Sequence, residues 1–216
     1  MRLLAYLAVV AALVFGGMAC GGAKPAQEAT QAQATQQAGK DAAPGLGDMA
    51  RGFEAMAKSA KEMEELSKRP PVEPVSFKVL APFFPDLAGW EKGTPEGEKM
   101  SAPVAISNSQ VDYTKDEARI TAKITDSGNN AMFLAPFMIY LTAGYEKETS
   151  GGYEKSVKIG DQPGWERWDN ESKSGTLNIF VNKRFLVELD GNGIENTQVL
   201  HDLAGRIDLR QLGEVK

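Results

Sequence analysis

Hydrophobic and polar positions divide the chain into four regimes. Residues 3 to 15, LLAYLAVVAALVF, are an unbroken apolar run behind Arg2. Residues 21 to 45, GGAKPAQEATQAQATQQAGKDAAPG, hold neither an aromatic nor a large aliphatic residue, so they bury too little surface to offset the entropy of ordering. In residues 46 to 68, Leu46, Met49, Phe53, Met56, Ala60 and Met63 recur at alternating steps of three and four among charged residues, the period of a helix with one apolar stripe. Beyond residue 76, short runs alternate with period two, which marks strands with one buried face.

The 46 to 68 helix spans about three heptads. Asp48 is read as its cap or a first-turn acid, and Arg69-Pro70-Pro71 stops the helix. Met49, Met56 and Met63 are seven residues apart, roughly 10 Å along the axis, so their sulfurs cannot share one copper ion. The stripe is therefore a packing surface. Its partner is left open: its own domain, a second copy in a short coiled coil weakened by Ala60 and Ser67 at the seam, or another protein's groove. Pro70, Pro71 and Pro74 predict a stiff joint ahead of a globular domain over residues 76 to 216.

Within that domain, Ser76 to Ala81 with Phe83, Phe84 and Leu87 predict a short helical packing segment ending at Gly89-Trp90. Residues 103 to 114 predict a strand, Lys115-Asp116-Glu117 a tight turn, and the next strand alternates Ile120, Ala122 and Ile124 with Arg119, Thr121 and Lys123. Residues 131 to 144, AMFLAPFMIYLTAG, predict an apolar helix capped by Asn129 or Asn130, kinked at Pro136 and ended by Gly144. Strands follow at 153–159, 164–169, 175–181 and 184–189, with Asn182-Lys183 as a two-residue hairpin turn. A closing helix from about Asn196 presents Val199, Leu200, Leu203 and Ile207. The order predicts an α+β fold, a largely antiparallel sheet covered by helices, preceded by a disordered tether and an amphipathic helix. In element order it is similar to the PsbP/Mog1-type α/β sandwich.

Arg2 and the apolar run after it predict a secretory signal peptide over residues 1 to 19, since the run is too short to span a bilayer as a helix. Gly17-Met18-Ala19-Cys20 resembles the lipobox of bacterial lipoproteins, with Gly17 where that family usually carries a branched aliphatic residue. The resemblance implies that the Cys20 thiol becomes a diacylglyceryl thioether and that its freed amine is acylated with a palmitate-class chain. The two chains of the diacylglyceryl group alone would hold the N-terminus in a membrane with on the order of 20 kcal/mol. A tether over 20–45 would reach roughly 28 Å from it. In a cell with two membranes, Gly21 implies the outer membrane, facing the periplasm. Read without the resemblance, Gly17-Met18-Ala19 is also a small-x-small site for ordinary signal peptidase, which would release a soluble chain.

Composition narrows the chemistry. The chain is 42% hydrophobic and 25% charged, with a net charge of -5, and without a basic block it is not expected to bind nucleic acid. A single Cys and a single His leave no intramolecular disulfide and no thiolate or multi-imidazole metal site, and no metal or cofactor is expected. TDSG at 125 to 128 reads as a turn and helix cap. DGNGIEN at 190 to 196 hints at calcium through Asp190, Asn192 and Glu195, but Ile194 and His201 occupy ligand positions of such a loop, so it reads as a strand-to-helix turn. His201 has no spaced catalytic partner in the sequence. Trp165 and Trp168, three apart, fall on opposite faces of a strand, one in the core and one exposed for recognition. The expected function is that of a membrane-anchored envelope lipoprotein, not an enzyme, binding a macromolecular partner or ligand through the α+β domain. Cys20 is its lipidation site, and Met49, Phe53, Met56, Met63, Trp165 and Trp168 are its candidate interaction residues. Its rivals are an envelope hydrolase whose site is assembled only in the fold, and a structural or assembly protein acting through the 46 to 68 helix, with self-association or another protein as the partner.

Overall fold

The alternating stretches pair into one antiparallel sheet of nine strands in a computed structural model that describes residues 46–142 and 144–216. The strands are β1 (Glu91–Lys92), β2 (Glu96–Met100), β3 (Ile106–Lys115), β4 (Ala118–Asp126), β5 (Glu146–Thr149), β6 (Gly152–Ile159), β7 (Gln162–Asp169), β8 (Ser174–Val181) and β9 (Phe185–Asn192). Across the sheet they run β1-β3-β4-β9-β8-β7-β6-β5, with β2 also paired to β3. Lys115 opposes Ala118, which leaves Asp116 and Glu117 as the expected tight turn. At the Asn182-Lys183 turn both residues adopt positive φ, 53° and 55°, and the Arg184 N–H closes it on the Val181 carbonyl.

Period-two alternation sends one set of side chains to each face. Val111 and Tyr113 of β3, Ile120, Ala122 and Ile124 of β4, Leu177 and Ile179 of β8, and Val187 and Leu189 of β9 share the larger core. Helices α2 (Phe77–Leu80), α5 (Gln198–Ala204) and α6 (Leu209–Glu214) close over it with Leu80, Leu200, Leu203 and Leu212. On the opposite face Phe180 and Leu186 meet Leu66, Leu134 and Met138 beneath α1 (Leu46–Ser67), α3 (Ala131–Leu134) and α4 (Met138–Thr142). Asn130 caps α3 by accepting from the Met132 N–H, and Pro136 lies in the 3₁₀ turn, Ala135–Phe137, that divides α3 from α4. The rest of this face is a polar lattice in which Thr121 donates to Asp112 at 2.7 Å and Thr176 to Asp190 at 2.7 Å.

The proline-rich segment is strapped to the domain. Arg69 donates to the Asn182 carbonyl at 3.2 Å, the Val72 N–H to the Gly128 carbonyl at 3.0 Å, and the Val75 N–H to Asp126 at 2.9 Å. Gly128 has φ +61, and a Cβ there would stand 2.5 Å from the Val72 carbonyl oxygen, so the close approach requires glycine. Asp126, wholly buried, receives Arg184 through both oxygens, Nε at 2.8 Å and Nη2 at 2.7 Å. The remaining Arg184 nitrogen donates to the Val215 carbonyl at 3.0 Å. One ion pair thus gathers the entering strap, the end of β4, the β8–β9 turn and the C-terminal segment.

Two expectations need correction. The closing helix does not continue through Ile207: it ends at Ala204, the chain turns, and α6 follows as a separate helix. Strands β1, β2 and β5 were not expected, because EK, EGEKM and EKET lack apolar alternation. They are edge strands, and their charges discourage another chain from pairing there. Residues 1 to 45, with Cys20, lie outside the described residues. No described helix is long and apolar enough to cross a membrane.

Candidate ligand cleft

At one end of the sheet the β3–β4 turn meets the loop from β9 to α5. Gly193, at φ +65, brings that loop against the turn: a Cβ there would lie 3.3 Å from the Glu117 carbonyl oxygen. Ile194 is buried in the larger core, and its N–H donates to the Lys173 carbonyl at 3.2 Å. Between turn and loop opens a cleft of ≈ 600 Å³ lined by Trp90, Lys115, Asp116, Glu117, Ile194, Glu195, Asn196 and Val199. Trp90 and Val199 are half-buried against the same core and, with Ile194, supply an apolar floor. The side chains of Lys115, Asp116, Glu117 and Glu195 make no hydrogen bond or ion pair with another described residue. Three carboxylates against one ammonium give the rim an acidic balance.

The α5 side of the cleft is pinned from behind by a buried carboxylate. Glu166, on β7 and 1% exposed, accepts from the Tyr153 hydroxyl at 2.7 Å, pairs with His201 Nε2, and has Lys155 Nζ at 3.4 Å. The Tyr153 and Thr197 hydroxyls are 3.0 Å apart, which ties the residue preceding α5 into the same network. Burial pushes the Glu166 carboxyl up, but Tyr153, His201 and Lys155 together hold it below its ordinary value. Burial first, and then the bond to Glu166, push the Tyr153 hydroxyl up to about 12. The sequence places His201 beside Asp202, yet Asp202 bonds Gln198, and the His201 partner comes from a strand 35 residues away. An imidazole oriented by a carboxylate is the geometry of a general base. Among the described residues, Glu166 is its one hydrogen-bond partner.

The expected interaction residues scatter. Trp165 and Trp168 do take opposite faces of β7, but both are half-buried, so neither is the exposed recognition tryptophan that was expected. Trp165 packs on Tyr140 with ring centroids 4.8 Å apart, and Trp168 donates to Asn170 at 2.8 Å. The cleft tryptophan is Trp90, which the sequence marked only as the end of a packing segment. Met63 packs with the smaller core, while Phe53 and Met56 are each 68% exposed. The side chain of Met49 lies outside the described residues. The calcium-like stretch disperses its oxygens: Asp190 accepts from Thr176 on the sheet and Glu195 faces the cleft. No group of three or more His, Cys, Asp or Glu side chains converges to hold a metal ion among the described residues.

Glu188, on the polar face, is held above the usual carboxylate range by burial and by Asp190, with Lys123 at 3.6 Å opposing. A raised folded-state value means that ionisation disfavours the fold, so stability falls as pH rises from 4.5 through that value. Glu188→Gln is therefore expected to raise the thermal midpoint at pH 7 and to lose that advantage at pH below 4.5, measured by calorimetry at both pH values. No protein-family model, curated protein or solved structure matches the chain.

Proposed function

We propose that this chain is a lipid-anchored envelope protein whose α+β domain binds a basic segment of a partner protein in the Trp90 cleft. What carries the binding reading is one juxtaposition, an indole on an apolar floor beside three carboxylates that outnumber the one rim ammonium and make no ion pair with a described residue. An aromatic face attracts Arg and Lys electrostatically, and unpaired carboxylates on the rim select cations and repel acids. Apolar pockets with a few convergent polar groups are the usual form of ligand sites. The anchoring half of the reading rests on the lipobox-like Gly17-Met18-Ala19-Cys20.

Calorimetric titration of the full chain with tri-arginine, and with tri-glutamate as control, tests the binding reading. Tri-arginine is expected to saturate one site and to weaken with salt. Trp90→Ala, or Asp116→Asn, Glu117→Gln and Glu195→Gln together, should weaken it by about tenfold or more. Equal binding of tri-glutamate, or unchanged affinity in the neutralised variant, would refute it. Cell fractionation tests the anchor separately: Cys20→Ser should move the protein out of the membrane pellet.

A further inference from the structure

We infer that α1 pairs with α1 of a second copy through the exposed stripe that contains Phe53 and Met56. On α1 the positions turned toward the domain are Ala55, Ser59, Glu62, Met63 and Leu66, all at least half-buried, and Glu62 is held there by Lys183. Phe53, Met56 and Ala60 are exposed, and at 100° per residue their centre lies roughly 120° around the axis from the domain-facing set. The stripe with the regular three-four spacing is thus divided: Met63 at its end packs on the domain, while Phe53, Met56 and Ala60 are left uncovered. A solvent-facing helix surface without a partner would ordinarily carry charge.

Two observations favour a second copy as the occupant. Steps of three and four through Phe53, Met56 and Ala60 are the spacing of a coiled-coil seam, which matches itself across a two-fold axis. The seam's neighbour Ala57 is small and Ser59 uncharged, so two helices approach without like charges opposed at the flanks. Exposed area sets the strength: two aromatic or thioether side chains per helix fall well short of the roughly 1,200 Å² that a stable interface buries, so the pair is weak in dilute solution. The inference rests on the anchored reading in one respect: chains held by Cys20 in one membrane enter α1 from the same side, so the pairing is parallel and confinement raises its effective concentration.

Cysteine cross-linking in the full chain tests this, because Cys20 is the only native thiol. With a short bis-maleimide added to membranes, Met56→Cys should yield an adduct of twice the chain mass. Glu65→Cys, exposed on the same helix off the stripe, should yield none. Adding Phe53→Glu to Met56→Cys should cut the adduct by about tenfold, since pairing would bury the new carboxylate in an apolar seam, and near-UV circular dichroism checks that the domain stays folded. Monomer alone, an adduct of any other mass, or equal cross-linking from position 65 would overturn the pairing. Repeating the assay with concentrated Cys20→Ser chain separates the two readings: loss of the anchor then shows in fractionation, while the adduct at position 56 persists.

Discussion

Arg184→Ala is expected to destabilise the domain by about 3–5 kcal/mol, a large part of the ~5–15 kcal/mol a folded domain commands. The cost comes from what is left behind. Asp126 is wholly buried and would retain only the N–H groups of Val75 and Gly128, two donors for a carboxylate that had four. The C-terminal segment would also lose its tie at the Val215 carbonyl. Arg184→Lys keeps the charge but not the planar fork, so it should fall between alanine and the native residue. The exposed Arg119–Asp112 pair is the control: solvent screens it, so Arg119→Ala should cost far less than Arg184→Ala. Urea midpoints of the three variants decide it, and an Arg184→Ala cost no larger than that of Arg119→Ala would show that this pair is not what gathers the four segments.

How far the sequence foretold the molecule depends on the length scale of each interaction. The β3–β4 pair was legible because Ile120, Ala122 and Ile124 alternate with polar neighbours, and the α3–α4 break because Pro136 cannot continue a helix; both are local facts. The edge strands were not, since a strand held by backbone bonds to one neighbour needs no apolar side chain, and Glu96 to Met100 shows almost none. The cleft was half legible. Both of its walls were marked as turns, but nothing in the sequence tells that residues 115–117 and 193–196 meet, because their meeting depends on β4 pairing with β9. The Glu166–His201 pair was hidden for the same reason, joining β7 to a helix that follows two further strands. For α1 the period gave the helix and its stripe but only part of the contact set: of the stripe the domain takes Met63, and it adds Ala55, Ser59, Glu62 and Leu66 from beside it, Glu62 being held there by Lys183.

Glu166 is the second residue whose loss should be felt strongly. Its carboxylate is buried yet lies below the ordinary acid range, so it stabilises the fold when ionised. That contribution is fully present above the unfolded value near 4.5 and is lost as pH falls through the lower folded value. Glu166→Ala leaves the Tyr153 hydroxyl, His201 and Lys155 without their acceptor, at about 1.5–3 kcal/mol for hydrogen bonds to a charged group. Glu166→Gln keeps one acceptor oxygen but cannot titrate, so it should be less stable at pH 7 and also lose less on acidification, the two stability curves converging below pH 4.5. A surface ion pair would not do this, nor would it reach the cleft. Because Thr197 hangs on Tyr153 and precedes α5, freeing Glu166 should speed amide hydrogen exchange at Leu200 and His201, whose N–H groups bond the Thr197 carbonyl at 3.0 and 3.2 Å, while β3 and β4 stay protected. If exchange there is unchanged and the pH curves run parallel, the buried carboxylate does not position the α5 wall, and the cleft owes its shape to Gly193 and Ile194 alone.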